Sequence, residues 1–138
     1  MTKKHIFLVF TFVFLTSIVW SLLLAGIEFL TGFGSTFLLM LIAVYIGNYL
    51  IKNLEYYKMS HKIIAASIAF LAFWMNVIAV TFLSIMTNLD VSITQALIYT
   101  FSIDGFLVSV GRLQLFDYLI MVVMPIITYQ YLNRRSAF

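Results

Sequence analysis

Residues 88–117 read NLDVSITQALIYTFSIDGFLVSVGRLQLFD. The stretch is apolar enough to enter a bilayer, yet it carries Asp90, Asp104, Arg112 and Asp117. Whether it crosses or stays on one side decides between five membrane spans and four, so the fold turns on it.

Working outward, the rest of the chain is lipid-soluble helix. The protein has 138 residues, of which 64% are hydrophobic and only 9% charged, with a mean hydropathy of +1.10. A soluble domain carries about 25% charged residues on its surface. This chain has too few to cover a globule in water, and lipid is the solvent that it suits. At about 20 apolar residues per span, residues 1–138 have room for four or five crossings in a single membrane domain and for little else.

Composition also excludes chemistry. The absence of cysteine removes disulfides, thiolate metal sites and thiol redox reactions. His5 and His61 both stand beside lysines at expected span ends, which disfavours paired haem ligation inside a bilayer. No cofactor and no metal site is expected. The net charge of +3 reads as membrane sidedness, not as a nucleic-acid surface, because basic residues mark the cytoplasmic side. The apolar run after Lys3 and Lys4 exceeds the 7–15 residues of a signal-peptide core, so a retained first span is expected.

Four spans follow from hydropathy: about Ile6 to Leu30, Thr36 to Ile51, Ile63 to Met86 and Phe116 to Leu132. Gly32 and Gly34 make a short turn between the first two, which predicts an antiparallel hairpin. Ala43 and Gly47 put two small residues on one face of the second span. Ala65, Ala66, Ser67, Ala69 and Ala72 do the same for the third, and small residues let helix backbones approach closely. Tyr56 and Tyr57 beside lysines suit headgroup-level anchors. Pro125 is expected to kink the fourth span by removing a backbone donor.

Charge counting then places residues 92–111. If they stay outside, Lys3, Lys4, Lys52, Lys58, Lys62, Arg134 and Arg135 share one side, seven of the eight basic residues. If they cross, Arg134 and Arg135 move to the wrong side and the bias weakens. Crossing would also set Asp104 at mid-bilayer, at a cost of roughly 2.5–3.5 kcal/mol. The expected fold is therefore all-α: a four-helix transmembrane bundle with an interfacial or re-entrant helix between spans 3 and 4, and with both termini cytoplasmic, in the plasma membrane or a bacterial inner membrane. Asp104-Gly105 suits a turn and is the expected break in that segment, with Gly111 a second.

The candidate functional side chains are Asp104, Arg112, Asp117, Asn76 and Glu28. A carboxylate within an apolar stretch is a functional hypothesis in a membrane protein, and Asp104 is the sharpest case, with Arg112 as its partner. The competing reading makes Asp104 a solvated turn residue. Arg112 and Asp117 could pair across the start of span 4. Asn76 is expected to hydrogen-bond to a neighbouring helix, and Glu28 to sit at a wet rim. Met121 and Met124 read as core filler.

The layout resembles the pore loop of potassium channels, where a short helix enters, a Thr-Val-Gly-type filter returns and a last span follows. Thr94–Ser102 stands as the short helix and Ser109-Val110-Gly111 in the place of the filter. Arg112 then replaces the filter's aromatic residue, and its fixed positive charge would repel a cation. Protease, hydrolase and phosphate-loop motifs are absent, so no enzyme is expected. Two readings remain. One is a non-catalytic accessory or structural subunit that packs against another membrane protein or forms a homo-oligomer. The other is an oligomeric channel or small transporter with its outer vestibule around Asp104–Arg112.

Overall fold

The computed structural model describes residues 2–31, 38–54 and 58–136, the last three by their backbone alone. The expected glycine turn after the first span and the Tyr56–Tyr57 anchor lie outside the described residues. Six helices follow one another: α1 (Lys3–Thr31), α2 (Leu39–Asn53), α3 (Met59–Leu89), α4 (Ile93–Thr100), α5 (Ile103–Arg112) and α6 (Leu115–Ser136). Among the described residues there is no strand. The helices α1, α3 and α6 are long and apolar enough to cross a membrane. At 15 residues, α2 reaches only about 22 Å, short of the roughly 30 Å hydrocarbon core.

Four helices form a bundle in which α3 packs on α1 and α6, and α2 closes the ring between them. Cross-contacts set their directions. Tyr45 donates to Thr16 Oγ1 at 3.0 Å and Tyr49 stacks on Phe12, so α1 and α2 are antiparallel. Asn76 Nδ2 donates to the Ser21 carbonyl at 3.1 Å, and Phe10 meets His61, so α1 and α3 run parallel. Thr128 donates to the Ala43 carbonyl at 3.2 Å, and Tyr131 packs on Gly47, so α2 and α6 also run parallel. His5 Nε2 meets the Asn53 carbonyl, and Lys62 Nζ donates to Asn133 Oδ1, both at 3.0 Å. The start of α1, the end of α2, the start of α3 and the end of α6 thus share one end of the bundle. Lys3, Lys4, Lys52, Lys58 and Lys62 all belong to it.

The seams are built from small side chains. On α1 the buried residues are Val9, Val13, Ser17, Ser21 and Ala25, a strict four-residue spacing that makes one stripe along a helix. Ser17 and Ser21 donate to the Val13 and Ser17 carbonyls, so their hydroxyls are satisfied without a partner helix. On α3, Ala65, Ala69 and Ala72 are buried while Ser67 is exposed. On α2, a Cβ added at Gly47 would lie 2.7 Å from Tyr131 Cδ1. Gly47 is the residue that lets α6 come this close. Helix α6 continues as one helix through Pro125.

At the opposite end the chain leaves α3 through Asp90, whose φ of 50° and ψ of 46° are left-handed. Aspartate tolerates that conformation better than most residues do. The chain then folds back along α3 as α4 and bends by 76° into α5. This bent pair occupies the expected segment, but its break lies at Phe101–Ser102, one turn before Asp104-Gly105. Each half is started by a serine cap: Ser92 Oγ accepts from the Gln95 N–H, and Ser102 Oγ accepts from the Gly105 N–H. A Cβ on Gly105 would collide with the carbonyl oxygens of Tyr99 and Thr100. That glycine serves the close approach of α5 to the end of α4, not a turn of its own.

Candidate functional site: a charged cavity under helix α5

Helix α5 meets α3 through Ser109 and Arg112, with Gly105 on the same line of the helix by its spacing. Gly105 and Ser109 are buried. The Ser109 and Thr81 hydroxyls are 2.8 Å apart, and Thr81 donates to the Val77 carbonyl at 3.0 Å. The Arg112 guanidinium reaches into the same point: its Nη2 donates to Thr81 Oγ1 at 2.9 Å and to the Val77 carbonyl at 3.3 Å. About two turns back along the same face of α3, Phe106 stacks on Trp74 with ring centroids 6.3 Å apart. The short helix is therefore clamped by a polar network at one end and an aromatic pair nearer its start.

Val77 and Thr81 stand roughly 12–18 Å back from the end of α3, so Arg112 is drawn well below the helix tip. There it borders a cavity of about 50 Å³, room for a few waters. Glu28 from α1, Asn76 from α3 and Asp117 from α6 line it with Arg112, and Phe73, Val77, Val80 and Leu113 complete the wall. Burial lowers the pKa of Arg112 from its ordinary value, and the charges of Glu28 and then Asp117 offset part of that. Asp117 Oδ2 also accepts from the Gln114 N–H at 2.9 Å, which caps the first turn of α6 and aims the carboxylate. Asn76 is almost fully buried, and its Nδ2 is held by Ser21.

Four of the five sequence candidates thus converge: Glu28, Asn76, Arg112 and Asp117. Asp104 does not. It is exposed on the first turn of α5, outside the cavity lining, so Asp104 does not share the cavity with Arg112, whereas Glu28 and Asp117 do. The reason is helical phase: Asp104 stands one residue, about 100° around a 3.6-residue helix, off the buried line of Gly105 and Ser109. Thr81 was not singled out from the sequence; Gly105 was read there only as a turn residue and Ser109 only as part of a filter-like triplet, although the spacing of Gly105, Ser109 and Arg112 was there to be read.

Against protein-family models, curated proteins and solved structures, the chain matches none.

Two negative charges around one positive charge can do three things. They can hold α1, α3, α5 and α6 together, keep water at that depth, or attract a small cation. The guanidinium is already engaged by two oxygens of α3. That favours the first role, since an arginine fork fixed by several acceptors orients whatever carries it.

Proposed function

We propose that this is a non-catalytic integral membrane protein that crosses the bilayer four times, with both termini cytoplasmic, and that acts by packing against another membrane protein or a second copy of itself through α4 and α5. The four-span reading draws on the collection of lysines at one end and of Glu28, Asp90 and Asp117 at the other, in line with the positive-inside bias. With α2 so short, the bilayer would thin or the helix ends snorkel there, at modest cost.

One observation carries the packing role. The bent pair is fastened to α3 by Arg112, Ser109 and the Trp74–Phe106 stack, yet it turns large apolar side chains outward. Phe101 is 69% and Ile103 79% exposed, beside Ile98, Phe106 and Leu107. Fixed and apolar, the bent pair fits a rigid docking platform. The cysteine-free chain makes the test direct. A single cysteine at Phe101 or Ile103 should crosslink to a partner or to a second copy in native membranes, while one at Trp20 on α1 should not. A monomer in mild detergent with no crosslinked product would end this reading.

The 76° bend and the charged cavity favour a second reading, an oligomeric channel or small transporter. It predicts ion flux from reconstituted protein, altered by Arg112→Gln or Asp104→Asn. Liposomes that stay tight would rule it out.

A further inference from the structure

At the lysine-rich end, on the flank of the α1–α3 seam that α2 does not cover, runs a groove of about 560 Å³. Its walls are Phe7, Phe10 and Phe14 from α1 and Ile64 and Ile68 from α3. Thr11 supplies a single hydroxyl part-way along. The remaining polar groups lie together at one mouth: Lys3, Ser60 and His61. The groove is thus hydrocarbon along its length and cationic at its entrance.

We propose that this groove is a specific site for one anionic phospholipid, with an acyl chain laid along the phenylalanines and the phosphate at Lys3 and Ser60. Charge complementarity selects the ligand. Lys3 lines the mouth, Lys4, Lys58 and Lys62 belong to the same end of the bundle, and four of the five acidic residues, Glu28, Asp90, Asp104 and Asp117, belong to the other end. Juxtamembrane lysines draw anionic headgroups at short range. The shape selects the tail. At about 560 Å³ the groove is large enough for a fatty-acyl chain. His61 forms part of the rigid frame: its Nδ1 accepts from the Lys58 N–H at 3.3 Å, and its ring lies 5.6 Å from that of Phe10. That fixes the start of α3 against α1 and holds the mouth open at a set width.

The site rests on the chain being embedded in a bilayer but not on the docking role of α4 and α5. Flotation of the protein with vesicles checks the embedding separately. The test of the site is native mass spectrometry of the full chain in mild detergent, with phosphatidylglycerol and phosphatidylcholine of matched chains at equal concentration. One phosphatidylglycerol per chain should be retained in preference to phosphatidylcholine. Lys3→Gln should lower that preference about fivefold. Lys52→Gln, a charge at the same end that does not line the groove, should leave it unchanged. Thr11→Trp, which fills the groove from its lipid-facing wall, should expel both lipids. Equal retention of the two lipids by the native chain would overturn the proposal. So would equal effects of Lys3→Gln and Lys52→Gln, or a dimer that carries no lipid.

Discussion

Gly105 and Arg112 hold the bent pair by opposite means, one by having no side chain and the other by having the longest reach. Gly105→Ala puts a methyl group against the Tyr99 and Thr100 carbonyls. It should destabilise the protein by about 1–3 kcal/mol, the usual cost of overpacking, measured by reversible unfolding in mixed micelles. Arg112→Met removes two charge-assisted hydrogen bonds and leaves Glu28 and Asp117 facing each other. A loss of about 1.5–3 kcal/mol is expected, and Arg112→Lys should restore only part of it, because an ammonium lacks the planar fork. In a double-mutant cycle, Glu28→Gln with Arg112→Met should fall short of the summed single losses by about 0.5–3 kcal/mol; strict additivity would show that the two charges do not interact. That Arg112 and Asp117 lie near one another was legible because they are close in the chain. Glu28 was legible only as a rim residue, since nothing in a linear sequence says which helix end meets which. Asp104 drew attention for its apolar surroundings, but hydropathy gives no helical phase in a ten-residue helix, and phase is what turns it outward.

Among the elements, α2 and the bent pair differ most from plain spans. The small pair Ala43 and Gly47 was readable as a packing face, and both residues are used within the chain, against Thr128 and Tyr131 of α6. Gly47→Leu should therefore separate α2 from α6 and lower the unfolding midpoint. The control Val44→Leu, on an exposed face of the same helix, should leave it within about 0.5 kcal/mol. The stripe Val9, Val13, Ser17, Ser21 and Ala25 had an equally regular signal in the sequence. It is easily passed over because the phenylalanines and leucines around it make α1 apolar on every side. The break between α4 and α5 was expected one turn late. Asp-Gly is a common turn dipeptide, but here the serine at 102 makes the helix start, and the glycine is spent on close contact with α4. No local rule separates those two uses of glycine. The distinction rests on atoms of Tyr99 and Thr100 that only the folded chain brings near.

For the whole molecule, single cysteines give the decisive topology. Cysteines replacing Asp90 and Asp104 should label from one side of the membrane and one replacing Ser136 from the other; labelling of all three from the same side would exclude the four-span arrangement. The sequence by itself determined the helical class, the presence of apolar runs long enough to cross a membrane, and the bias of charge between ends. These are properties of composition and order along the chain: too few charges to face water, apolar runs of span length, and seven basic residues at matching phases of an up-and-down path. Tertiary structure alone decided what the charges do. The cavity of Glu28, Asn76, Arg112 and Asp117 draws on four helices, and the lipid-sized groove on two. Each depends on the rotation of every helix about its own axis, which small-residue packing sets and hydropathy leaves open. Residues 88–117 show both sides of this. Their polarity marked them as the part that is not a simple span, and the contact of Ser109 and Arg112 with α3 decided that Arg112 points into the protein and Asp104 does not.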